Sequence, residues 1–216
     1  MTTTTALPDP PLTRIPWALA LSAALAGGLA FGVLTNLGQG WLPGALNQLA
    51  NSGAVWSAVA FAAGAVLAGR VTLPLAAVAG LLAELGLVIG YYAYAEYGFN
   101  RAGMGDTGAP LTWLGMAVIA GPLFGVAAVW ARRGRTTLRR TAGVAALAGL
   151  FGAEGIQYLW VLHYPVQATV CIAALILLPL LMARSSRERA LTLSTAVIFS
   201  FVAHFTVWTY LSGLSA

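Results

Sequence analysis

Apolar runs of 18 or more residues follow one another along almost the whole chain, and they restrict its fold more than any other feature. Inside a bilayer every backbone N–H and C=O must find a partner within the protein, which leaves closed barrels and helices. Barrel strands are short and alternate in polarity, whereas a helix needs about 20 mostly apolar residues to cross. Seven segments meet that requirement, at 15–35, 52–69, 72–94, 111–131, 141–162, 166–183 and 190–211. The expected fold is all-α: a polytopic bundle of seven transmembrane helices forming one domain, 15–211. A flexible cytoplasmic tail (1–14) and a short C-terminal tail (212–216) flank it. Only 8% of residues are charged, against roughly 25% for a soluble domain, so a water-facing surface is excluded. The N-terminus lacks a basic n-region, so the first run reads as a retained span rather than a cleaved signal.

The basic residues supply an orientation. All are arginines in loops: Arg14 before the first span, Arg70 after the second, five between the fourth and fifth, and Arg184, Arg187 and Arg189 between the sixth and seventh. With seven spans these loops share one side, and only Arg101 falls on the other. The positive-inside rule then places the N-terminus in the cytoplasm and the C-terminus outside, with the protein in the cell membrane. The Arg132–Arg140 cluster reads as a topology signal, and no nucleic-acid partner is expected.

Three ionisable residues interrupt the apolar runs. Glu84 lies 14 residues after Arg70, Glu154 lies 14 after Arg140, and His204 lies 15 after Arg189. The three helices concerned all run outward, so these groups are expected in one layer roughly 20 Å from their basic anchors. An ionisable group at such a depth is costly and marks a functional site by default. Trp56 falls at the same count on the second span. Outward of this layer the chain becomes polar and aromatic: Asn51 before the second span, Tyr91 on the third, Trp113 opening the fourth, Gln157, Tyr158 and Trp160 on the fifth, and Trp208 on the seventh. Glu84 and Tyr91 are i, i+7; Glu154, Gln157 and Tyr158 are i, i+3, i+4; His204 and Trp208 are i, i+4. Each set shares a helix face, and such faces meet inside a bundle more readily than in lipid. Glu96 and Asp106 read as solvated loop acids. Cys171 reads as a packing residue. No HxxxH or ExxH pair supports a metal site, and no cofactor is expected.

The chemistry implied is acid catalysis in a dry cavity. Removal from water disfavours the charged form of a carboxyl, and two close carboxyls do not ionise together. A neutral carboxylic acid is a general acid, and aromatic faces stabilise a cation by up to about 2 kcal/mol when desolvated. Together these are what protonation of an alkene or epoxide requires. The expected partners are therefore the bilayer and a lipophilic prenylated substrate. Glu154 and Glu84 are the candidate acids, and His204 is a candidate acceptor of the final proton.

The stretches LANSGAVW (49–56), AGPLFG (120–125) and AEGIQY (153–158) resemble those of small actinobacterial seven-span membrane proteins. Size, span number and intramembrane acids are also similar to integral-membrane class II terpene cyclases, which act on meroterpenoid and indole-terpenoid intermediates. That likeness is architectural. It implies an isomerase of secondary metabolism, in which one acid protonates a farnesyl-type chain carried on an aromatic, indole or diketopiperazine head. The DxDD-type motif of soluble class II cyclases is missing here. Two other readings stay open: a proton-coupled small-molecule transporter or importer subunit, which would need a homo-oligomer or a partner, and a polar layer that only joins helices.

Overall fold

The computed structural model describes residues 14–100, 103 and 108–214, with side chains described as far as residue 207. Seven α-helices follow one another: α1 (Trp17–Trp41), α2 (Gly53–Leu67), α3 (Leu73–Phe99), α4 (Gly108–Arg133), α5 (Thr137–Ile156), α6 (Pro165–Met182) and α7 (Ser186–Leu214). Six are long and apolar enough to cross a bilayer alone. A 3₁₀ run, Gly44–Asn51, meets α2 at a bend of 52°, and this pair supplies a seventh crossing only if it is one broken span. The all-α polytopic bundle expected from the apolar runs is what the chain forms. Several boundaries differ: α1 runs six residues past the expected end at 35, and α3 five past 94. α7 continues to Leu214, through most of the segment assigned to a tail, and the expected second span has an irregular outer third. With 15 residues, α2 is about 22 Å long, short of the roughly 30 Å hydrocarbon layer.

Close approach of glycines sets the register of neighbouring helices. On α1 and α3, Gly28 lies against Ala83, and Gly32 against Leu87 and Gly90; Gly86 and Gly90 lie in turn against Leu25 and Leu29. The numbers rise together, so α1 and α3 are parallel. A Cβ at any of these positions would run into a backbone atom of the facing helix. Small residues let membrane helices gain dispersion contact that lipid chains do not outcompete. On α3 and α4, Ala76 faces Gly125 and Gly80 faces Gly121, which makes that pair antiparallel. On α5 and α7, Gly149 meets Phe199 and Gly152 meets Ser200, again in parallel.

The bundle is built as two groups. α1 to α4 pack on one another, and α5 gathers α6 and α7; α4 and α2 join the groups by packing on α5. α4 and α7 share no extended packing, and the seam between the groups opens there. The arginine loops lie together at one end. Arg140 forms an ion pair with Glu188 (2.8 Å), and the Arg184 guanidinium donates to the Arg132 carbonyl (3.1 Å). This is the end that the positive-inside rule expects on the cytoplasmic side. Arg101 and Asp106 lie outside the described residues.

Candidate functional site: an intramembrane cavity with two glutamates

A cavity of about 540 Å³ occupies the seam, within the roughly 300–1,000 Å³ typical of ligand sites. Seven of the candidate residues line it: Asn51, Trp56, Glu84, Trp113, Glu154, Gln157 and Tyr158. They arrive from α2 to α5 and from the 3₁₀ run, so the fold brings together what the sequence spreads over more than 100 positions.

Glu154 is held by the start of α2. Its carboxylate accepts from the Ser52 hydroxyl and from the Ala54 backbone N–H (2.9 Å). Ser52 also caps its own helix, its Oγ accepting from Val55 N at 3.2 Å. The first N–H groups of a helix have no partner within it. At this depth water cannot be relied on to supply one, so a carboxylate from α5 and a serine at the N-cap do so. A negative group there also meets the positive end of the α2 dipole. Gly53 makes the approach possible: a Cβ would stand 3.3 Å from Glu154 Oε1 and 3.5 Å from the Trp113 ring.

Glu84 is held by one contact only. Its Oε1 accepts from Ser57 Oγ at 3.3 Å, while Oε2, buried and on the cavity wall, has no partner among the described residues. Both glutamates are nearly inaccessible, at 5% and 6% exposure, but they differ in kind. One is an acceptor filled by donors from another helix, and the other keeps one oxygen without a partner among the described residues. They are also offset. Their serine partners stand five residues apart at and beyond the start of α2, about 7.5 Å along its axis. The single layer expected from the arginine spacing is therefore two steps, with Glu154 the outer.

Trp56 is the centre of an aromatic stack. It is almost fully buried, and the Trp113 and Tyr91 rings each lie 5.1 Å from it. Trp56 and Trp113 reach the cavity, whereas Tyr91 stands behind Trp56 with its hydroxyl donating to Gln39 (2.7 Å). Tyr91 thus supports the wall instead of forming it. After Glu154 the α5 helix widens into a π turn, Gln157–Val161, closed by Leu162 N to Gln157 O at 3.1 Å. π turns within helices are often found at functional sites. Here the turn carries Gln157 and Tyr158 to the cavity.

Three other expectations do not end at the cavity. Trp160 points outward at 57% exposure and packs on Phe201. Six residues after Glu154 amounts to about 240° around a helix, which turns it away from the glutamate's face. His204 is buried on α7 at the level of Glu154, following the α5–α7 register, but the wall there is made by Ala203, Thr206 and Val207. The Trp208 side chain lies outside the described residues. Sequence reading missed Ser52 and Ser57, the hydroxyl partners of the two acids. Ser57 stood as the one polar residue in the stretch AVWSAVAF, and that was its signal.

The rim faces the membrane. Ile119 and Leu123 on α4 and Phe199 and Val202 on α7 line the cavity and are exposed on the bundle's outer surface. The cytoplasmic side is closed by a core containing Phe61, Phe124, Val144 and Leu147. Among the described residues no three His, Cys, Asp or Glu side chains come together as metal ligands.

These features define a multi-pass membrane protein with an acidic, aromatic cavity that opens on the apolar side of the bundle between α4 and α7. The chain belongs to the family of unknown function DUF6518, whose profile matches residues 11–213. No curated protein and no solved structure matches it.

Proposed function

We propose that the protein is a terpene cyclase of the cell membrane, which cyclises a prenyl chain carried on an uncharged head by protonating it. The observation that carries this reading is the Glu84 carboxyl, which lines an apolar cavity together with two indoles and keeps one oxygen without a partner among the described residues. Such an oxygen can carry a proton to a terminal alkene or epoxide and meets no competing donor. Proton transfer from Glu84 forms a C–H bond, or opens the epoxide, and leaves a tertiary cation on the chain. The next double bond attacks that cation. Trp56 and Trp113 present π faces to the successive cations. The Glu154 carboxylate, fixed by Ser52 and Ala54, adds a preorganised negative charge that needs no rearrangement as the cation forms. A final C–H bond gives its proton back to Glu84, so the reaction is a net isomerisation.

The lateral rim supports a substrate that partitions into lipid, and the closed cytoplasmic core argues against a through-path for a solute. The architectural resemblance to integral-membrane class II cyclases, in size, span number and intramembrane acids, favours the same reading. Membranes containing wild type, Glu84→Gln or Glu154→Gln are to be incubated with farnesylated indole and diketopiperazine substrates and searched for products of unchanged mass. Wild type is expected to form one and Glu84→Gln none. Equal conversion by all three would sink the acid assignment.

A further inference from the structure

Glu84 Oε2, Asn51 Oδ1 and Gln157 Oε1 are buried oxygens, on residues that line the cavity, with no partner among the described residues. Glu84 and Gln157 are each more than nine-tenths buried. Among the described residues no lysine, arginine or histidine lines the wall, which holds two carboxyl groups. Two indole rings complete the surface. A site of acceptors, carboxyls and π faces repels anions and asks its ligand for N–H groups or positive charge.

We infer that the cavity binds lipophilic amines, with the nitrogen between Glu84 and the Trp56–Trp113 pair and the chain leaving through the rim between α4 and α7. A neutral amine enters from lipid. Its lone pair takes the proton of the Glu84 carboxyl, an N–H bond replaces the O–H bond, and an ammonium–carboxylate pair remains. The inference rests on the reading of Glu84 as the cavity's acid, because an ammonium is a stable likeness of the cation that protonation would create on a prenyl chain. Ligands resembling a transition state bind more tightly than substrates. The same wall excludes prenyl diphosphates and fatty acids, whose anionic heads would meet two carboxyls and no cation.

The test uses the purified full chain in maltoside micelles and three probes of one C15 prenyl chain: the primary amine, the alcohol and the carboxylate. Binding is followed by tryptophan emission. The amine is expected to bind about tenfold more tightly than the alcohol, the worth of one charge-assisted hydrogen bond, and the carboxylate most weakly. Glu84→Gln is expected to bring the amine to the level of the alcohol, and Glu84→Asp to restore part of the difference. The wild-type order alone is decisive if a variant fails to fold. Equal binding of the three, or preference for the carboxylate, overturns the inference. Glu84-dependent turnover without amine preference would sink this inference and leave the cyclase reading intact; amine preference without turnover would do the reverse.

Discussion

Replacing Glu154 by leucine should destabilise the bundle far more than the same change at Glu84, although both glutamates are equally buried. Glu154→Leu removes the acceptor of two donors, the Ser52 hydroxyl and the Ala54 N–H. Each buried donor left unmet costs about 1–3 kcal/mol, and the N-cap of α2 loosens at its bend with the 3₁₀ run. The sum is about 3–5 kcal/mol. Glu84→Leu frees only the Ser57 hydroxyl, which can turn to the carbonyl four residues back on its own helix, and it removes an oxygen that had no partner. Its cost is about 1 kcal/mol. Glu154→Gln keeps an acceptor for one donor and should fall between them. Reversible unfolding in mixed micelles with increasing dodecyl sulfate would give the three values. If Glu84→Leu costs as much as Glu154→Leu, Glu154 is not the anchor of α2, and the two-role account of the acids falls.

Other consequences follow from single contacts. Gly28→Val should prevent the α1–α3 approach, because a side chain there meets the Ala83 backbone, whereas Gly27→Ala has open space and should stabilise α1 by up to about 1 kcal/mol; thermal unfolding of the two variants in detergent checks the contrast. Arg140→Ala leaves Glu188 buried beside the Arg184 backbone N–H alone and should cost about 3 kcal/mol or more, with most of it recovered in Arg140→Ala/Glu188→Gln; the same unfolding assay reads it. With Cys171 buried as the single cysteine, a cysteine placed at exposed Arg135 should react with an impermeant thiol reagent only after the cytoplasmic face is opened. Labelling in intact cells would contradict the orientation.

The parts of this structure legible in sequence were those fixed by the bilayer. Span positions follow from apolar length, and the shared end of the arginine loops follows from their alternation. The i, i+3, i+4 relation of Glu154, Gln157 and Tyr158 put three residues on one face, and all three line the cavity. Periodicity is silent on how a helix is rotated relative to its neighbours, which is why His204 and Tyr91 share faces with cavity residues yet stand off the wall. The break at Ser52 was hidden because GALNQLANS reads as a polar loop. Ser52, where the run ends, donates to a carboxylate 102 positions away. Trp160 was placed by its company in an aromatic segment, although its angular distance from Glu154 already turned it outward.

The central claim is that Glu84 delivers a proton to a prenyl chain in the cavity. Wild type and Glu84→Gln, equilibrated in heavy water beforehand and held in excess over a farnesylated substrate so that each molecule turns over once, test it most directly. The account predicts a cyclised product from wild type carrying deuterium at the carbon protonated first, and no product from the variant. A cyclised product without deuterium there, or the same labelled product from Glu84→Gln, would contradict it.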